Sequence, residues 1–474
     1  MNRETARPPA RLLKFASVLA LGLAAIWLWS QWCRFPWSAW NDVRLVPSFM
    51  LAAGEPVYSP PGAGVISTWM YGPVPVWLLL PATWMPDIES ASLVAGAINI
   101  GLPLLAIAVA LLKWPANETS LPARLLAAVL VLAVWPESSW RFLQSDNFAV
   151  ALGLVASVLL LHPKRPAWSL WLAAFAATAA VGCKQTSLGL PVAHLIWLGL
   201  AHGRRHALEH TARLAACGGA LIIATLACFD PAGLWDTLVR IPGALPLTDD
   251  AGGRLLSLSP LLAVHLGLPA ALLFFLRKQP DPFGARRLAG LLWACSLPLG
   301  LVSILKIGGT LNSLQGLQLA LPGLALATIG ALNRRSVPVT LALAASLILS
   351  WRIHDSGAAM RPRIQHLREG VALARAFPGQ LWFPWHPLVS YYAEGRFYHA
   401  EDGFYARLIA GRALDVTQIR THLPAKFRGL AEPAGVNGWG ISERVLGQPY
   451  EESFAGLWRL RLARPEPANG TASP

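Results

Sequence analysis

The stretch Trp37-Ser38-Ala39-Trp40-Asn41-Asp42-Val43-Arg44 directly follows an apolar segment, Leu12 to Trp32, and precedes a chain that is largely hydrocarbon in character. A carboxylate at the mouth of the first span of a many-span protein is costly beside lipid unless it has a task, so Asp42 is a candidate functional acid. The competing reading is a helix N-cap, which Pro47 weakens because it soon interrupts any helix beginning there. Upstream, Met1 to Lys14 is polar and basic, and the apolar segment closes on Trp27, Trp29 and Trp32, an interfacial belt. No small-x-small cleavage pattern follows. We therefore expect an uncleaved first span with a cytoplasmic N-terminus rather than a signal peptide.

Composition sets the same frame. Of 474 residues, 54% are hydrophobic and 14% charged, with mean hydropathy +0.46; a soluble enzyme carries about a quarter charged residues. The net charge of +14 does not call for nucleic acid. Pairs such as Arg204-Arg205, Arg277-Lys278, Arg286-Arg287 and Arg334-Arg335 lie between apolar segments, where cytoplasmic loops concentrate basic residues. Cys33, Cys183, Cys217, Cys228 and Cys295 are scattered without a CxxC pair, which indicates small core residues rather than a metal knuckle or disulfide framework.

Further spans are expected at Ser90 to Leu112, Leu121 to Trp135, Phe148 to Leu161, Ala167 to Val181, Thr186 to Ala201, Thr211 to Phe229, Ser257 to Leu276, Leu288 to Leu305, Leu314 to Leu332 and Val337 to Trp351. The fold class is then an all-α polytopic membrane protein of about eleven transmembrane helices, with a C-terminal soluble α+β domain. Tyr71 to Met85, broken by Pro73, Pro75 and Pro81 and flanked by Trp, suits an interfacial or re-entrant helix. With that helix not counted as a crossing, every basic loop falls inside. Residues 1–353 form the membrane domain, with an outer-face loop at 33–70, and residues 354–474 a periplasmic or extracellular domain that frays from Arg464 onward. Leu381-Trp382-Phe383 and Leu457 to Leu462 read as its strands. The setting is the inner (cytoplasmic) membrane.

This parity places Phe35 to Met70, Pro136 to Asn147, the neighbourhood of Lys184, the loop Asp230 to Leu256 and Lys306 to Ser313 on the outer face together with the tail. The chain has seven lysines, and Lys184 and Lys306 interrupt apolar sequence on the side where cations are disfavoured. Such cations suit an anionic ligand such as a lipid phosphate; snorkelling at a helix end is the alternative. Asp146, in Trp140-Arg141-Phe142-Leu143-Gln144-Ser145-Asp146-Asn147, is the second candidate acid, with an N-cap as its alternative. Two acids on one face suit base and orienting work, or a divalent cation. Gly54-Glu55-Pro56-Val57-Tyr58 and Tyr71-Gly72-Pro73 form a shaped loop suited to a headgroup pocket, or an ordinary tight loop. Glu55, Tyr58, Tyr71 and Asn312 are the candidate pocket residues.

Taken in order, an Asp after the first span, a Gly-x-Pro-x-Tyr loop, a Pro-rich re-entrant helix, an Arg/Gln/Asp/Asn element and a Lys184-Gln185-Thr186 start resemble the GT-C glycosyltransferases. The resemblance is to the aminoarabinose and protein-mannosyl transferase type and to the family 87 polyprenol-dependent mannosyltransferases. It implies a polyprenyl-phosphate sugar donor, a site at the membrane's outer surface and inversion at the anomeric carbon. Asp42 would then be the catalytic base and Asp146 its support. Lys184, Arg141 and Gln185, with Lys306, would face the donor phosphate. Two departures stand: many relatives show Asp-Glu where this chain has Asp42-Val43, and a Lys-Pro-Pro of some members is here Tyr71-Gly72-Pro73.

The partners implied are the lipid-linked donor and membrane lipid, with no nucleic acid. No resident metal is indicated, since His386 and His399 in the tail lack paired helical spacing and a third ligand. That aromatic stretch is better suited to a packed surface or acceptor recognition. A transporter or flippase of lipid-linked sugars would carry its ionisable groups near the midplane, and a non-catalytic assembly partner is the other alternative.

Overall fold

The computed structural model describes residues 10–59, 63–67, 69–115, 120–281, 284–331, 337–357, 365–434, 439–447 and 450–463. The first nine residues of the basic N-terminal stretch, Pro60-Pro61, Arg334-Arg335 and the segment from Arg464 lie outside them. The chain opens with helices α1 (Ala10–Cys33), α2 (Ala39–Ala52), α3 (Val74–Leu78), α4 (Ile88–Lys113), α5 (Leu121–Val134), α6 (Glu137–Arg141), α7 (Ser145–Leu160), α8 (Ala167–Cys183), α9 (Gly189–His202) and α10 (Arg204–Cys228). Among the described residues, each segment expected to be apolar and helical is helical over most of its length, Leu314 to Ala320 as part of a 3-10 helix. Among the described residues six helices are long and apolar enough to cross a bilayer: Leu12–Trp37, Ile88–Lys113, Arg204–Cys228, Ser259–Leu276, Ala285–Leu305 and Asn312–Ala331.

Burial sorts these helices by role. Nearly all of α7 is buried, packed among α4, α8 and the 3-10 helix Leu311–Ala320, so it must be apolar all round and its polar first turn has to find partners inside. By contrast, α10 packs against α8 and α9 through partly buried residues such as Leu214 and Leu221, and no residue of its apolar window is fully buried, as suits a helix facing lipid. The Pro-rich element is α3 followed by a 3-10 turn, Leu80–Trp84. Val74–Trp84 spans about 19 Å at α- and 3-10-helical rise, short of the roughly 30 Å of hydrocarbon, and Trp84 stands 76% exposed at its end.

One expectation is corrected at α2. The helix runs through Pro47 to Ala52, because Val43, Leu45, Val46, Phe49 and Met50 are all buried around it and that packing offsets the backbone hydrogen bond that proline cannot make.

The tail carries a four-stranded sheet, β1 (Leu381–Trp382), β2 (Gly429–Pro433), β3 (Tyr450–Ala455) and β4 (Trp458–Ala463), in the order β1-β2-β4-β3. β1 and β2 are parallel, with Leu381 opposite Gly429, and the other pairs are antiparallel. Trp382, Phe404, Leu430 and Ile441 form a core of their own. Leu367, Phe383, Leu388 and Trp458 instead belong to the same continuous apolar core as the spans. The helix preceding the tail, Val337–Gly357, runs past the expected boundary at 353.

Candidate active site

The segments assigned by parity to one face do meet at one end of the bundle. Asn41 donates to the carbonyl of Arg141 (3.0 Å) and accepts from Leu143 N–H (2.6 Å). Gln185 Nε2 donates to the carbonyls of Leu238 (3.2 Å) and Met70 (3.5 Å). Lys306 Nζ donates to Pro242 O (2.6 Å). The tail joins through His386, at Asp42, and through His399, whose Nδ1 accepts from Ile66 N–H (2.8 Å).

At the centre stands Asp146, in the first turn of α7. Its carboxylate does not cap the helix. Oδ1 accepts from Lys184 Nζ at 2.6 Å and Oδ2 from Asn312 Nδ2 at 3.2 Å. The helix N-terminus favours the negative charge at that position. Lys184, the residue at which α8 ends, is only 8% exposed, so it does not snorkel. Its ammonium lies 5.6 Å from the Tyr71 ring centroid, a cation–π contact. Tyr58 in turn donates its hydroxyl to Tyr71 O at 2.8 Å. Tyr71 is brought this close by Gly72, whose N–H bonds Cys183 O (3.3 Å); a Cβ there would collide with the carbonyl oxygen of Gly182.

A buried amide network holds this centre from behind. Asn147 Nδ2 donates to Asn99 Oδ1 (2.9 Å) and Ser139 O (2.5 Å), while Gln315 Nε2 donates to Asn147 Oδ1 (3.0 Å). Asn99 also accepts from Gln144 N–H and donates to Phe142 O (3.1 Å). Four elements are locked together, so the loop before α7 has one conformation. Sequence reasoning missed Asn99, Ser139 and Gln315. Asn99 carried a signal, being an amide set in an apolar helix, which is expensive without a partner.

Asp42 has different company. On the first turn of α2, its Oδ2 meets His386 Nδ1 at 2.9 Å and its Oδ1 accepts Leu388 N–H at 3.2 Å. It thus caps the helix Pro387–Glu394 from another part of the chain. Both partners are buried, at 4% and 1% exposure. Burial pushes the Asp42 carboxyl up, against the opposing pull of His386 and the Leu388 amide. Nothing in the sequence pointed to His386 as its neighbour.

The remaining candidates stand apart from the Asp146 cluster. Arg141 and Glu55 are exposed, and Arg141 stacks on Phe142. Gln185 and Lys306 spend their donors on backbone carbonyls, as above. Beside Asp42, Arg44 donates to Leu143 O (2.8 Å) and covers Trp40. It faces Asp402, whose carboxyl burial raises to about 7 while the Arg44 charge draws it back. Among the described residues no three His, Cys, Asp or Glu side chains gather as metal ligands would.

No family model matches the chain, and no curated protein matches it in sequence. Solved structures match in fold. ArnT from Cupriavidus metallidurans bound to undecaprenyl phosphate superposes with TM-score 0.58 at 13% identity, over 94% of this chain and 97% of that one; its apo state gives 0.56. The Archaeoglobus fulgidus oligosaccharyltransferase, in complex with Zn and sulfate, gives 0.50 at 14% identity, over 89% and 68%. The chain is a polytopic membrane protein with the GT-C fold.

Proposed function

We propose that the protein is a membrane glycosyltransferase that moves a sugar from a polyprenyl-phosphate donor to an acceptor at the outer face of the inner membrane. The observation that carries this is the buried Lys184–Asp146–Asn312 cluster beneath Tyr71, in a fold shared with a protein that binds undecaprenyl phosphate. An ammonium has three N–H donors, and Asp146 takes one. The others are available to phosphate oxygens, where a charge-assisted bond strengthens as the glycosidic bond breaks and charge builds on the leaving lipid phosphate. Asp146 orients and partly neutralises this lysine, a supporting role.

Asp42 is the acid we assign to the acceptor hydroxyl. Each carboxylate oxygen keeps a second lone pair beyond its bond to His386 or Leu388, and burial makes it a stronger base than a surface aspartate. In-line displacement from the face opposite the phosphate inverts the anomeric carbon. The tail then lies on the aqueous outer side and the N-terminus inside.

The test is transfer from a radiolabelled polyprenyl-phosphate sugar in membranes. Asp42→Asn is expected to lower transfer by about 10²–10⁴-fold with expression intact; undiminished transfer would dismiss the assigned base.

A further inference from the structure

A cavity of about 240 Å³ opens where Ser59, residues 63–66, Asp236 and the tail meet. It holds roughly eight waters' worth of space, the scale of one sugar ring. Its rear is buried, with Asp236 4% exposed on a π-helical turn, Asp236–Arg240, of the kind often found at functional sites. Its mouth is wet: Asp415 and Gln418 are exposed, so a ligand enters from the aqueous side.

The lining is charged but balanced. Arg412 Nη2 donates to Asp236 Oδ1 at 3.3 Å, which leaves Asp236 Oδ2 unclaimed among the described residues. Arg407 faces the same carboxylate, and burial lowers its guanidinium to about 10. Two guanidiniums and two carboxylates sum to no net charge, which disfavours a phosphate. They offer both donors and acceptors, which matches hydroxyl groups that give and take hydrogen bonds. Ile66 and Ile419 add apolar wall for the C–H face of a ring. His399 is not a ligand group: its Nε2–H donates to Ile419 O (3.0 Å) and its Nδ1 accepts from Ile66.

Two short paths, each a stretch of chain followed by a hydrogen bond, connect this cavity with the Lys184 cluster. Ser59 follows Tyr58, which holds Tyr71, and Asp236 lies two residues from Leu238, which holds Gln185. We propose that this cavity binds one uncharged sugar unit of the acceptor, presented from the aqueous phase beside the donor phosphate. The assignment rests on the glycosyltransferase reading above.

Saturation-transfer NMR on the full-length protein in nanodiscs, with the methyl glycosides of mannose, glucose, galactose and N-acetylglucosamine as probes, tests it without requiring turnover. At least one is expected to bind, with Asp236→Asn and the exposed-site variant Gln418→Ala each weakening it about tenfold. No binding by any probe, or binding indifferent to both cavity variants, overturns the proposal. Displacement of the glycoside by a sugar-loaded polyprenyl phosphate but not by undecaprenyl phosphate alone also overturns it, because the cavity then holds the donor's sugar. Cavity-dependent binding in a protein that transfers no labelled sugar keeps the site and rejects the enzyme reading instead.

Discussion

Two buried aspartates, each in the first turn of its own helix, are treated in opposite ways. Asp146 is matched by a permanent cation, Lys184, supplied from within the bundle. Asp42 is matched by a titratable imidazole and a backbone amide, both supplied by the tail more than 300 residues later. A fixed ion pair builds a constant local field, whereas an acid held by a histidine and an amide keeps a basicity that its surroundings set. The first arrangement suits holding a phosphate and the second suits moving a proton.

The largest effect should come from breaking the fixed pair. Lys184→Met strands the Asp146 charge and is expected to cost about 3–5 kcal/mol in detergent unfolding, together with a raised donor requirement. Adding Asp146→Asn should restore most of the stability and none of the donor use. Recovery of both would reduce the pair to a structural strut.

On the other side, His386→Ala should cost on the order of 1–3 kcal/mol and move the acid limb of the transfer-rate profile to higher pH. The sign follows from the imidazole's present effect, which is to lower the Asp42 pKa; without it the base stays protonated to a higher pH. An unmoved limb would detach His386 from the chemistry.

Asp402 offers a smaller test of the same interface. Its folded pKa of about 7 exceeds the usual value near 3.9, so the fold binds this proton more tightly than the unfolded chain does. Stability therefore rises as pH falls from above 7 toward 4. Asp402→Asn should flatten that slope and gain on the order of 2 kcal/mol at pH 8, read from melting at both ends of the range. Tyr71→Phe, which keeps the ring against Lys184, should change donor use by less than about threefold; a large loss would give the hydroxyl a direct part.

Much of this was legible in the chain because membranes restrict what apolar sequence can do. The helical segments, the short Pro-rich element and the face shared by Asp146, Lys184 and Asn312 all follow from hydrophobic length and the placement of arginines. Leu381-Trp382-Phe383 and Leu457 to Leu462 likewise read as strands, and β1 and β4 fall on them within a residue at either end. Partner choice was not legible. Arg141 and Lys306 carry the right charge in the right loops, yet one stacks on Phe142 and the other holds Pro242 O, since position along the chain does not fix where a long side chain turns. The His386 contact with Asp42 joins residues too far apart for any local pattern to report. The amides Asn99, Asn147 and Gln315 come from three helices far apart in the chain and meet in one network, which no local pattern reports.

The contact between Gly72 and Gly182 has a mechanical consequence. With no side chain between them, the turn at Gly72 and the end of α8 are welded backbone to backbone, so the aromatic lid and the ammonium below it travel as one piece. A bilayer that thins or thickens around the protein tilts helices and presses on their ends, yet the spacing across this seam is insulated from that strain. Grip on the phosphate should therefore vary little with lipid chain length, whereas Gly72→Ala would make it sensitive to the host membrane.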